Sequence, residues 1–200
     1  MKLIAVTGVA TAGKDTFADG LAEIIRDNHP NLRVDRISFA NFLKDDLREF
    51  ILDKFDKDVF NLDSEDKKIL RPLLVAYGQA KRAQTKGMHW INLLDHQLSV
   101  DPPDVAILSD LRFAEEETDE LQWLKSKNGV LVHVERYDMV GDQKVFIEAP
   151  NDDERRNDPI LKEAANNCIS WPTSSSQKNL ESLINGFCHE VYYHKINLFL

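Results

Sequence analysis

Residues 3–16 read Leu-Ile-Ala-Val-Thr-Gly-Val-Ala-Thr-Ala-Gly-Lys-Asp-Thr. Leu3 to Val6 is a short apolar run of the kind that makes a buried parallel strand. Gly8 and Gly13 then bracket four small residues and Lys14 follows, the G-x-x-x-x-G-K spacing of a phosphate-binding loop. The chemistry needs those residue types. Glycines let the backbone turn tightly, so that successive N–H groups point inward at phosphate oxygens. Lys14 reaches the outer phosphates, and the helix beginning there adds the positive end of its dipole. One position departs from the pattern: Asp15 stands where Ser or Thr usually follows the lysine, and Thr16 comes one step later. The context supports the loop, with a strand before it and a helix after it. Phe17, Leu21, Ile24 and Ile25, with Ala18 and Ala22 beside them, recur at helical spacing until Asn28, His29 and Pro30 end the run. The alternative is an ordinary glycine-containing turn between a strand and a helix.

Working outward, further apolar runs predict strands at Val34–Phe39, Val105–Ser109, Val130–Val134 and Cys168–Trp171. Helical stretches are expected at about 41–55, 64–84, 88–98, 115–127 and 177–195. Short apolar strands alternating with helices imply an α/β fold, a parallel sheet covered on both faces. Two hundred residues suit one domain with a full core. The stretch from Tyr137 to Arg156 breaks the alternation, being polar and carrying Gly141 and Pro150. Long connections of that kind in compact domains are often functional.

The net charge of −9 argues against a nucleic-acid surface, which needs a basic face. It leaves room for a local pocket of Arg and Lys. Cys168 and Cys188 form neither a C-x-x-C pair nor a metal cluster with the scattered histidines, so free thiols in a reducing cytoplasm are expected. No apolar run approaches a membrane span, and Met1–Ile4 is too short a start for a signal peptide.

A second motif is Val105-Ala-Ile-Leu-Ser-Asp110-Leu-Arg112-Phe. An acid at the end of an apolar strand is where enzymes with this loop hold the aspartate that supports Mg²⁺. The competing reading is an aspartate that caps a helix. Leu111 follows in place of the glutamate that activates water in many hydrolytic ATPases, and no Asn-Lys-x-Asp run is present to read guanine. A third feature is a set of cations in apolar surroundings: Lys44, Arg82 and Arg112, each beside a strand end or a Gly-marked break. Arginine forks bind phosphate with two parallel bonds, as a second anionic substrate would require. Taken singly, each is as well explained as a solvated surface cation.

Gly8–Thr16, Phe39-Ala-Asn-Phe-Leu-Lys44, Tyr77-Gly-Gln-Ala-Lys-Arg82, Trp90-Ile-Asn-Leu-Leu and Ser109-Asp-Leu-Arg-Phe113 occur in that order. Together they resemble the phage-type deoxynucleoside monophosphate kinases over roughly residues 1–136, with a weaker echo beyond. The Gly-Lys-Asp and Asp-x-Arg-Phe steps are the more specific parts, and they are similar to animal-type phosphomevalonate kinase as well. The resemblance implies the P-loop NTPase fold, with a helical acceptor-binding region at about 40–100 and a lid-like segment at about 137–157. It implies phosphorylation of a deoxynucleoside monophosphate at the expense of ATP with Mg²⁺, other small phosphorylated acceptors being the alternative. Gly8, Ala10, Ala12, Gly13, Lys14, Asp15 and Thr16 would bind ATP, and Asp15 and Asp110 would serve the metal. Lys44, Arg82, Trp90 and Arg112 would hold the acceptor. Lys14, Asp15, Arg82, Asp110 and Arg112 would carry the chemistry. Arg155 and Arg156 are assigned to the ATP side on charge and loop position. The expected partners are these small molecules, in the cytoplasm, without nucleic acid or membrane; a homodimer is left open. A non-catalytic nucleotide sensor is the reading from another class, and the base stays open for want of a base-reading motif.

Overall fold

The alternation of apolar residues along the first strand explains the architecture of the computed structural model, which describes residues 1–188. Strand β1 (Lys2–Thr7) sends Ile4 and Val6 into one buried cluster and Leu3 and Ala5 into another. Successive strand residues point to opposite faces, so a strand apolar on both must be covered on both. Helices α1 (Lys14–Asn28) and α7 (Gln177–Phe187) close the first face, through Phe17, Leu21, Ile25, Ile184 and Phe187. Helices α4 (Met88–Val100) and α5 (Glu120–Ser126) close the second, through Ile91, Leu94, Leu121 and Leu124.

Among the described residues, five strands run parallel. β2 (Val34–Ile37) pairs with β3 (Val105–Leu108), β3 with β1, β1 with β4 (Val130–Val140), and β4 with β6 (Asn167–Pro172). The first strand therefore lies in the middle of the sheet, and its carboxyl end opens directly into the phosphate-binding loop. Between β2 and β3 the chain inserts α2 (Phe39–Phe55), α3 (Ser64–Gln84) and α4. The insertion has a small core of its own, with Leu47, Ile51, Val59, Leu62 and Leu70 buried together. It occupies the span expected for the acceptor-binding region.

Several boundaries differ from the sequence reading, each for a physical reason. β2 ends at Ile37 because Ser38 caps α2, its hydroxyl accepting from the Ala40 N–H at 3.2 Å. α5 begins only at Glu120, where the Asp119 carboxylate caps it, and 115–119 is irregular. The lid-like stretch 137–157 contains regular elements. β4 runs on to Val140, turns at Gly141 and pairs antiparallel with β5 (Gln143–Phe146); α6 (Asp152–Ala164) then starts inside that stretch. Of the helix expected at 177–195, residues 177–187 are helical and 189–195 lie outside the described residues. Cys168 and Cys188 are free thiols, and no described helix is long and apolar enough to cross a membrane.

Candidate active site

The loop after β1 is shaped by backbone that few residues adopt. Gly8 (φ 131°), Thr11 (φ 68°) and Gly13 (φ 95°) all have positive φ. At Gly8 a Cβ would drive into the Val134 carbonyl, and at Gly13 it would come 2.5 Å from Trp171 Cζ2. Both positions therefore require glycine. Ala12 is fully buried under the loop, and Phe17 stacks on Trp171 at 6.3 Å between centroids. Apolar packing from α1 and β6 thus fixes the cradle from beneath.

Lys14 begins α1 and is buried. Its ammonium donates to the carbonyls of Gly8 (2.6 Å) and Val9 (2.9 Å), spanning the loop it follows. Burial, reinforced by the nearby charge of Arg112, lowers its pKa from 10.5 to about 8. Asp15 pairs with Arg36 of β2, whose other nitrogen reaches Asp19 at 2.5 Å. Arg36 was not among the residues picked out in the sequence; a single exposed arginine on a four-residue strand carries no pattern.

A cleft of about 1330 Å³ opens above the carboxyl ends of the strands, the place where open α/β sheets bind ligands. Ala10, Gly13, Lys14, Asp15 and Thr16 of the loop and the start of α1 line it. So do Lys44 from α2 and Lys68, Arg71 and Arg82 from α3. Asp110, Arg112 and Trp90 complete the lining named in the sequence. Most of the cofactor, metal and acceptor residues picked out in the sequence therefore converge on one space. Gly8 and Ala12 shape it from below without lining it.

Within the cleft the cations divide into two kinds. Arg82 is spoken for: its fork holds Asp119 at 2.8 Å and Glu120 at 3.3 Å, and its guanidinium lies 3.6 Å above the Phe113 ring centroid. Burial pushes the Glu120 carboxyl up to about 8, against the opposing pull of Arg82 and of the Arg112 N–H. Glu120 also accepts from the backbone N–H of Arg112 (2.7 Å) and Phe113 (3.1 Å), so the Arg82–Glu120 pair pins the strand-end loop. Arg112 is freer, its guanidinium meeting Glu154 at 3.2 Å. Lys44, Lys68 and Arg71 have no carboxylate partner among the described residues. Lys44 lies 5.4 Å from the Phe60 ring centroid.

Asp110 is a helix cap, though of a different helix from the one that follows it. Its carboxylate accepts from Ser38 Oγ (2.7 Å) and from the N–H groups of Phe39 (3.0 Å) and Ala40 (2.9 Å) at the start of α2. It ties the helical insertion to the sheet. Trp90 is buried in the core of α4, and its indole N–H reaches the Gly78 carbonyl at 3.4 Å. Arg155 and Arg156 do not line the cleft, which corrects their placement on the ATP side. Both project from α6 and are bound nearby, Arg155 to Asp152 and Arg156 to Glu115 and Asp153. Two other residues stand where those arginines were expected. Glu154 reaches the loop, and Arg136 of β4 donates to the carbonyls of Thr11 (3.4 Å) and Thr173 (3.0 Å) at the mouth of the cleft.

No known family model and no curated protein matches the sequence. Solved structures match the fold. A dephospho-CoA kinase from Campylobacter jejuni superposes with a TM-score of 0.52 at 15% identity, covering 98% of this chain and 100% of that one. A shikimate kinase from Bacteroides thetaiotaomicron gives 0.48 at 15% identity, covering 96% and 98%. The chain shares the α/β fold of that dephospho-CoA kinase.

Proposed function

We propose that the protein transfers the γ-phosphoryl group of ATP to the phosphate of a deoxynucleoside monophosphate. The observation that carries this reading is one cleft lined from two parts of the chain. The phosphate loop shares it with three cations of the helical insertion, Lys44, Lys68 and Arg71, that no carboxylate of the described residues pairs with. A nucleotide-binding sensor needs only the loop.

The lining of the cleft supports the following roles. Ala10, Gly13, Lys14 and Thr16 take the ATP phosphates through backbone N–H groups, one ammonium and one hydroxyl. Lys44, Lys68 and Arg71 take the acceptor's phosphate. Arg112, which lines the same cleft, faces the group in transit, where charge spreads over the equatorial oxygens. The acceptor is already anionic near neutral pH, so no strong general base is required, and rate enhancement comes from positioning and charge stabilisation. Arg82, saturated by Asp119 and Glu120, acts by holding the Asp110–Phe113 loop in place.

The donor set fits Mg²⁺, which prefers oxygen and is usually held by one or two carboxylates together with substrate phosphates. Asp15 and Thr16 would hold it, with Asp110 near by. When bound, the metal neutralises phosphate charge. Leu43, Pro72, Leu74 and Val75 supply an apolar surface beside the cations. It suits a nucleobase, and it suits the aliphatic chain of phosphomevalonate as well.

A coupled assay of ADP release across the deoxy- and ribonucleoside monophosphates, with phosphomevalonate included, tests the proposal. A deoxynucleoside monophosphate should support turnover, and Lys14→Ala should lower that turnover by roughly 10²–10³ in a folded protein. Turnover with phosphomevalonate alone would move the acceptor to that class. ATP binding without turnover on any acceptor would leave a sensor.

A further inference from the structure

The phosphate cradle already holds a carboxylate. Glu154, in the first turn of α6, is 8% exposed, and its Oε2 accepts from the Ala10 N–H at 2.6 Å. Ala10 lies inside the bracket of Gly8 and Gly13, so this donor is one the loop would otherwise turn toward phosphate oxygen. The other carboxylate oxygen accepts from Arg112 Nη1 at 3.2 Å and from the Asn151 amide at 3.0 Å. One side chain therefore occupies both a donor of the loop and a cation that lines the cleft.

Helix capping does not account for this arrangement. Asn151 caps α6 through its own oxygen, which accepts from the Glu154 backbone N–H at 2.9 Å. The reciprocal contact of a capping box has the N3 side chain return to the backbone N–H of the cap residue. Here the carboxylate meets only the side-chain amide of the cap residue, and its remaining contacts cross to two other segments, Ala10 and Arg112. A carboxylate and a phosphate oxygen compete for the same donors with the same sign of charge.

We propose that Glu154 is an internal competitor for the phosphate cradle: a nucleotide's phosphates displace it from Ala10, and the displacement releases Arg112 for the acceptor side. The inference rests on the reading of the Gly8–Thr16 loop as the ATP site. It goes further in making Glu154 a determinant of phosphate affinity and in linking occupation of one side of the cleft to the freedom of a cation on the other. Gln79 of α3 donates to Asp153 at 2.8 Å. The turn that carries Glu154 is thus also joined to the helical insertion.

Calorimetric titration of Mg-ATP and of inorganic tripolyphosphate into the full chain at pH 7 tests this. Glu154→Gln keeps the shape of the side chain and the Asn151 cap but removes the charge. It should tighten both ligands by about ten-fold, the scale of one charge-assisted hydrogen bond. Glu154→Asp, shorter by one methylene, should fall between the variant and the wild type. Asp153→Asn removes an equal charge from the same turn without touching Ala10 and should shift either Kd by less than about two-fold, as expected for a half-screened surface charge. Unchanged or weaker binding in folded Glu154→Gln overturns the proposal. If that variant does not fold, unchanged or weaker binding by Glu154→Asp does so instead. Equal tightening in Asp153→Asn overturns it too, since the effect would then be long-range charge alone. Should the wild type bind neither ligand, the ATP-site reading falls and this proposal with it; should the wild type bind both, only the Glu154 proposal is at stake.

Discussion

Two segments meet at the Ala10 N–H, and they are held in opposite ways. The loop and α1 rest on apolar contacts: buried Ala12, Phe17 against Trp171, and Phe187 edge-on to Phe17 at 5.3 Å. The arm that brings Glu154 rests mainly on polar ones. Asn157 bridges the Ala114 N–H (2.7 Å) and Glu115 (2.9 Å), and Asp158 meets buried His133 at 3.0 Å. Leu161 is the one fully apolar residue among the buried positions of α6. Apolar packing is non-directional and offers an arriving ion nothing to exchange. Hydrogen bonds and ion pairs can be traded for those of an anionic ligand at little net change. The fixed half is therefore suited to define the phosphate site, and the polar half to respond when it is filled.

The contrast is broken most strongly at Trp171. Trp171→Ala removes the floor beneath Gly13 and the stacking partner of Phe17, and should cost about 3–5 kcal/mol in denaturant unfolding. Nucleotide affinity should fall with it. A loss below about 1 kcal/mol would mean that the cradle is not held from beneath.

Asn157→Ala probes the other half. It strands the part-buried Ala114 N–H, a change worth about 1 kcal/mol. Hydrogen exchange should show that loss as faster opening of α6 while α1 keeps its protection. Equal loss of protection in α1 would erase the distinction between the halves.

The last expected effect is in pH and is confined to the alkaline side. Lys14 attracts phosphate only when protonated, and its lowered pKa of about 8 places the loss just above neutrality. Because kcat/KM reports the free enzyme, its value for ATP should be flat below pH 8 and fall by up to about ten-fold per unit above it. A profile flat to pH 10 would contradict the burial assigned to Lys14.

The same contrast explains what could be read from the chain before its structure. The loop was legible because glycine spacing and an apolar helix face are periodic signals, and Phe17, Leu21 and Ile25 are buried at the places the spacing predicts. α6 was hidden because the face it buries is Glu154, Asn157 and Leu161, so a helical period is present but is largely polar. The Asn151-x-x-Glu154 spacing was the available clue to its start. β5 was missed because all four of its residues are exposed and show no alternation. Asp110 follows an apolar strand, as the sequence pattern shows, but that its carboxylate caps α2, about seventy residues earlier in the chain, follows from the β2–β3 pairing and from no local pattern. Arg82 lines the cleft as its motif implied; that Asp119 and Glu120 take up its charge depends on the irregular run that delays α5.

Phosphorus NMR of the full chain with Mg-ATP and an equimolar mixture of the four deoxynucleoside monophosphates tests phosphoryl transfer across the cleft most directly. ADP and a deoxynucleoside diphosphate should appear in equal amounts, with little inorganic phosphate. Unchanged ATP, or inorganic phosphate in place of the second diphosphate, would contradict it.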